Sequence, residues 1–406
     1  MDTPTHRNTG IWTEREQLEY FDSSEFTELL VGIVAPMGLA EATVTLAELH
    51  HRPGAGVSGV YAASNGTASL YLGATAEKLE TVPEGCVRLE NPRGTITIWL
   101  HPADPLLPGL RLATTPELVE QAWGVGRVLD ELRTLAYRPL RRAVMLARFD
   151  DGSELFLKVL RKDAALLHHK HLELLGAGIP APVPAGEPVD QVLAFRRATG
   201  QPLAEDLMHS PGLPLEPAKI IGLLDALPRS LMQVPARPAW SDRLGWYGHA
   251  AQTALPERAE DIGTMLGCLA RLLENAHRGP LAPSHGDFYE ANLFVSQGEI
   301  TGVLDIDSAG PGYLVDDLAC FLGHLAVLPD LDPRYAKVTE HFETYAAAFT
   351  EELTARGIGA DGLYARTAAV VLSLVAGARD ESNPGWRAIA ETRLRLVGEL
   401  LARAER

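Results

Sequence analysis

The sequence predicts an α+β fold, β-rich at the N-terminal end and mainly helical towards the C-terminus. Two sets of short β-type runs, rich in Val, Ile, Thr and Tyr and separated by Gly, Pro and Asn, occupy the first part of the 406 residues. After about residue 198 the patterning becomes mostly helical, around one segment dense in Asp, Asn, His and Gly.

The first β set runs from about residue 25 to 112 and includes VTLAELH, GVSGVYAAS, ASLYLGA and GTITIWL. The Pro- and Gly-rich run HPADPLLPGL then breaks the chain. Next, TPELVEQAWGVGRVLDEL predicts a helix, with Thr115 as N-cap and Pro116 at the first helical position. A second hairpin region is expected over 132–160, followed by a helix near 163–177 that stops at Gly178 and the PAPVP run. Beyond residue 198 a long helix is expected from Pro256 to His277, then the motif segment and further helices.

The two β regions align collinearly without gaps. Leu46 falls on Leu132, Leu49 on Leu135, Arg52 on Arg138, Pro53 on Pro139 and Gly66 on Gly152. In this alignment Lys158 has Leu72 as its counterpart, so only the second copy carries the cation. Within ELFLKVL, strand alternation points Lys158 away from the face of Leu157 and Val159. An ammonium among apolar neighbours needs an anion, and a nucleotide's phosphates would supply one.

Composition narrows the function classes. The chain is 46% hydrophobic and 22% charged, enough to build large cores. Its net charge of −17 disfavours nucleic acid or an anionic membrane as the main partner, since both select a basic surface. No run approaches twenty apolar residues and the N-terminus lacks the pattern of a signal peptide, so a cytoplasmic location is expected. Cys86, Cys268 and Cys320 are far apart without CxxC spacing, which argues against a disulfide framework or a zinc site.

The chemistry concentrates in SHGDFYEANLF, residues 284–294, and GVLDIDSAGPG, residues 302–312. Asp287 is placed to accept a hydroxyl proton, while Asn292 and Asp305 offer hard oxygen ligands to magnesium. These are the groups that transfer of a phosphoryl group to an alcohol requires.

Strand lysine, helix, extended segment, HGDxxxxN, and an apolar strand ending in DxD with a later Asp-Leu-Ala together resemble one group of enzymes. This is the aminoglycoside phosphotransferase and choline kinase group, which has a bilobal protein-kinase-like fold. The resemblance runs from roughly residue 132 to the C-terminus. It implies a kinase-like N-lobe over 113–197 and a helical C-lobe over 198–406, and leaves 1–112 as an extra β-rich cap. It further implies Asp287 as catalytic base, His285 as its structural neighbour, Asn292, Asp305 and Asp307 as magnesium ligands, and Asp317 as a buried brace of the catalytic loop. Lys158 would contact the ATP phosphates. The segment VLAFRRATGQPLAEDL resembles the linker that receives adenine, placing Phe195 and Arg196 there. The extra N-terminal part resembles the cap of bacterial maltokinases in architecture.

The chain departs from the pattern in two places. No GxGxxG loop precedes Lys158; the turn RPLRRAV stands there, with Arg141 and Arg142 as candidate phosphate contacts. The helix after Lys158 should carry a glutamate to pair with it, but offers His168 and His169 near that turn and Glu173 somewhat late. Acceptor candidates are Tyr289, Glu290, Asp380, Glu381 and Trp386. The expected protein is an ATP- and magnesium-dependent phosphotransferase acting on a small-molecule hydroxyl, with an aminosugar or aminoglycoside-like acceptor. A neutral sugar kinase of the maltokinase type and a catalytically silent nucleotide-binding protein are the alternatives.

Overall fold

The protein is described from a computed structural model. Residues 12–37, 39, 41–52, 54–91, 94–210, 212–379 and 383–406 are described. The chain divides into two compact units, residues 1–165 with 185–195 and residues 166–184 with 196–406.

The first unit opens with two helices, the second of which lies where the β module was expected to begin. Helix α1, Glu14–Phe21, starts at a capping box in which Thr13 and Glu16 each receive the other's backbone N–H. Helix α2, Ser24–Val34, is capped by Ser23. Phe26, Leu30 and Val34 recur every fourth residue, so only a helix buries all three on one side. They pack on an antiparallel five-stranded sheet in the order β1-β2-β3-β5-β4. Its strands are β1 Thr43–Arg52, β2 Gly56–Ser64, β3 Ser69–Thr75, β4 Val87–Asn91 and β5 Gly94–Leu100.

Two short helices follow, α3 Leu110–Thr114 and α4 Pro116–Val119. Thr115 holds the N-cap position, but its hydroxyl donates to the Arg111 carbonyl at 2.7 Å instead of capping. The helix expected beyond Pro116 is therefore brief. It becomes a π-helical turn over Glu120–Gly124 and ends at Val125, whose φ is 50°.

A four-stranded sheet completes the unit, with β6 Leu129–Arg138, β7 Arg142–Phe149, β8 Glu154–Leu160 and β9 Val192–Arg196 in that order. The aligned hairpins share their turn register: Arg52 pairs with Gly56, and Arg138 with Arg142. The following hairpins do not. Ser58 pairs with Thr75, while Val144, its aligned counterpart, pairs with Lys158. By ladder register Thr75 takes the place that linear alignment gave to Leu72. Pro53, part of that alignment, lies outside the described residues.

A buried polar chain connects the two sheets. The Trp99 indole N–H donates to the Tyr137 hydroxyl at 3.1 Å, which donates to Asp104 at 2.7 Å. Asp104 also accepts the Leu140 N–H at 2.8 Å.

In the second unit, α5 Ala164–Gly176 precedes the short strand β10 Gln201–Pro202 and helices α6 Leu203–His209, α7 Pro217–Asp225, α8 Leu244–Ala254 and α9 Ala259–Asn275. Short strands β11 Ala282–Ser284, β12 Leu293–Ser296, β13 Glu299–Val303 and β14 Gly310–Gly312 frame the motif segment. Helices α10 Leu314–Leu331, α11 Val338–Ala355, α12 Ala360–Val375 and α13 Trp386–Ala404 follow. β10, β12 and β13 form one sheet, β11 and β14 another. The core gathers along α10 and α12, with Phe321 set edge-on to Tyr345 at 5.0 Å and to Phe349 at 6.0 Å. No helix among the described residues is long and apolar enough to cross a membrane.

Candidate active site

Residues 285–292 form a loop between β11 and β12, and a second turn leaves β13 at Leu304. Leu304 binds the first loop through both backbone groups. Its N–H donates to the Asn292 carbonyl at 2.8 Å, and its carbonyl lies 2.9 Å from His285 Nε2. Because that carbonyl can only accept, Nε2 carries the proton. His285 Nδ1 is then free to accept the Asp287 N–H, at 3.3 Å. His285 thus staples the two turns together.

Asp317, buried in the first turn of α10, receives the His285 and Gly286 N–H groups at 2.8 Å each, one per carboxylate oxygen. Burial pushes its carboxyl up to about 7, against the downward pull of these N–H groups and of Ser284. Gly286 has no substitute at this point. Its φ is +78°, and an added Cβ would meet the Ser308 carbonyl oxygen at 2.8 Å.

Asn292 is 6% exposed and donates its side-chain N–H to the Asp287 carbonyl at 2.9 Å. That bond turns its amide oxygen into the remaining polar end, a hard donor suited to a cation. Asp305 sits in the left-handed region, at φ 52° and ψ 45°, a conformation Asp tolerates better than most residues. The one-turn helix Ile306–Ser308 carries Asp307 just beyond it. Asn292, Asp305 and Asp307 carry oxygen donors on turns fixed by hydrogen bonds, the donor chemistry that magnesium takes.

One residue here was missed by sequence reasoning. Lys170 on α5 is 5% exposed and donates to the Asp307 carbonyl at 2.9 Å. Burial first, then the nearby Arg237, pull its ammonium down to about 8. Glu173, the late candidate for the missing helix acid, instead faces His169 at 3.8 Å. The helix meets the DxD turn through a cation bound to backbone.

Next to Asp287, Tyr289 stacks on His324 of α10 with ring centroids 4.1 Å apart. Trp240 presents an edge contact to His324 at 6.2 Å and stacks on Tyr247 at 5.2 Å. A cavity of about 420 Å³ adjoins the loop, lined in part by Arg237, Trp240, Arg278, Gly286, Ser308 and Tyr313. Asp242 and Asp316 also face it, and are paired with Arg278 and Arg366 respectively.

Several expected contacts fall elsewhere. Glu290, an expected acceptor contact, is 3% exposed inside the one-turn helix Glu290–Asn292. Trp386 is buried at the start of α13 beneath the guanidinium groups of Arg379 and Arg387. Asp380 and Glu381 lie outside the described residues. Arg141 forms an ion pair with Glu77 of the first sheet's connection, which engages the charge expected for phosphate. Arg142 opens β7 opposite Arg138. The Arg196 N–H donates to the Val183 carbonyl at 2.9 Å, which removes that amide from adenine recognition, and Phe195 is buried in β9. In the first unit, Lys158 is half-buried between buried Leu157 and Val159, on the face that alternation assigned.

Fold and motif together define a phosphotransferase of the protein-kinase-like class. Residues 107–353 match the phosphotransferase enzyme family (APH), and the chain belongs to it. Residues before 107 lie outside the match. Among solved structures, the apo form of a thermostable mutant of aminoglycoside phosphotransferase APH(4)-Ia is similar at 17% identity, with 70% of this chain and 99% of that chain covered and a TM-score of 0.50. A choline/ethanolamine kinase family protein from Mesorhizobium loti is 19% identical over 72% of this chain and 95% of that one, with a TM-score of 0.45. An ethanolamine kinase from Plasmodium vivax is 14% identical, covers 66% and 82%, and scores 0.44. No curated protein matches the chain in sequence.

Proposed function

We propose that this chain is an ATP- and magnesium-dependent kinase that phosphorylates a hydroxyl of a small molecule, with an aminosugar or aminoglycoside-like compound as acceptor. The double bonding of Leu304 carries this reading, because it ties the loop of Asp287 and Asn292 to the turn of Asp305. Asn292, Asp305 and Asp307 would hold magnesium, which when bound neutralises phosphate charge. Asp287 takes the proton of the acceptor hydroxyl as its oxygen bonds to the γ-phosphorus, and the bond to the bridging oxygen breaks to release ADP. Lys158 would bind the nucleotide's phosphates. His285, Asp317 and Lys170 act earlier, by fixing the two turns so that little reorganisation remains at the moment of transfer.

The cavity beside Gly286 is the proposed acceptor entrance. Its acids Asp242 and Asp316 suit an amine, and the net charge of −17 would attract one. A neutral sugar is the second reading. It is favoured because both acids are already matched by arginines, while Trp240 and Tyr313 offer ring faces. ATP turnover across amines, aminosugars and maltose, with Asp287→Asn as control, tests the proposal. Turnover with an aminosugar, lost in Asp287→Asn, is the expected result; no phosphorylated product from any acceptor would sink it.

A further inference from the structure

We infer that Asp287, Cys320 and His324 form a binding site for a soft divalent cation, zinc, whose occupancy ties up the catalytic carboxylate. One ligand atom from each residue lies within 4.8 Å of the other two. Cys320 and His324 are four residues apart on α10, hence on one face of the helix. Stacking on Tyr289 and the edge of Trp240 fix the imidazole plane. His324 Nε2 is buried without a hydrogen-bond partner, a condition that metal ligation relieves.

The donor set decides which ion fits. Thiolate, imidazole and carboxylate suit zinc in a tetrahedral site with water as fourth ligand, whereas magnesium selects oxygen alone. Zinc bonds of roughly 2.0–2.3 Å require the three atoms to draw somewhat closer as the ion binds. Burial keeps His324 neutral, with its pKa down at about 4, which is the form that ligates. Burial and the carboxylates of Asp287, Asp317 and Glu290 keep the Cys320 thiol protonated. Binding therefore releases that proton to solvent as the Zn–S bond forms, with no change of oxidation state. This site is separate in residues and in ion preference from Asn292, Asp305 and Asp307. The inference rests on the proposed function only for its effect on turnover.

The test is a titration of the nucleotide-free protein with Co²⁺, read by the thiolate-to-cobalt absorption band and by its displacement with Zn²⁺. A band at one equivalent is expected, absent in Cys320→Ser and Cys320→Ala and weakened about tenfold or more in affinity in His324→Gln. No band, or a band unchanged in both Cys320 variants, overturns the site. Zinc inhibition at saturating magnesium-ATP, measured against each variant's own uninhibited rate, should be relieved in the Cys320 variants and reversed by chelator. Equal inhibition of wild type and variants would overturn the regulatory effect. The cobalt spectrum needs no turnover, so an intact band in a protein that phosphorylates nothing would refute the proposed kinase activity and leave the metal site standing.

Discussion

Lys170 and Glu173 lie one turn apart on α5 and end in opposite situations. Glu173 stays near the surface facing His169, while Lys170 is buried on the carbonyl of Asp307. An ammonium out of water must keep its acceptor, so Lys170→Met should displace the DxD turn. The expected result is an increased magnesium requirement and about tenfold weaker magnesium-ATP binding by calorimetry, partly restored in Lys170→Arg. Unchanged metal dependence would show that Lys170 only packs. Asn292→Ala removes the bond to the Asp287 carbonyl and, under the proposed function, a magnesium ligand. It should lower kcat far more than it raises the acceptor KM, as steady-state kinetics would show. Asp287, Asn292 and Asp305 could be singled out from the sequence because one short stretch holds them all. Lys170 could not, because its partner lies 137 residues further along the chain.

At the scale of elements, the two turns of the site depend on glycine and on buried carboxylates. Gly286→Ala meets both a positive φ and the Ser308 oxygen, so the loop must move. Activity should fall near background while the far-ultraviolet circular dichroism of the fold survives. The polar chain from Trp99 through Tyr137 to Asp104 makes a second prediction. Tyr137→Phe leaves an indole N–H and a carboxylate without their shared partner, and should cost about 1–3 kcal/mol in denaturant unfolding. His101 packs edge-on against Tyr137 at 5.1 Å, and burial lowers its pKa from 6.5. Below about 6.5 the unfolded chain gains a proton that the folded His101 refuses, so stability is lost as pH falls. A His101→Phe variant should lose less melting temperature between neutral and mildly acidic pH than the wild type.

Elements were legible where their pattern is local. The alternation in ELFLKVL placed Lys158 on the correct face of β8, and the turn of the aligned hairpins holds in both copies. Helix α2 was not foreseen, because SEFTELLVGIV is apolar enough to pass for strand until Phe26, Leu30 and Val34 are seen to share one face. The slip between Leu72 and Thr75 was equally hidden, since ladder register is set by partner strands and turn geometry rather than by linear alignment. Glu290 and Trp386 have the composition of surface contacts and the burial of core residues.

At the scale of the whole molecule, the two compact units divide the expected labour. Lys158 belongs to the first and Asp287, Asn292 and Asp305 to the second. If the lysine serves the nucleotide, Lys158→Ala should weaken ATP binding by about tenfold while leaving the melting temperature near that of the wild type. Retained affinity would refute its assignment. The sequence by itself determined the phosphotransferase family, because the Asp-, Asn- and His-bearing motif that carries it lies within one short stretch of the chain. Only tertiary structure decided what holds the residues of that motif in place. His285 on Leu304, Asp317 on the loop, Lys170 on Asp307 and His324 beside Cys320 are contacts that no linear spacing prescribes, since burial makes each polar group seek whichever partner the fold brings near.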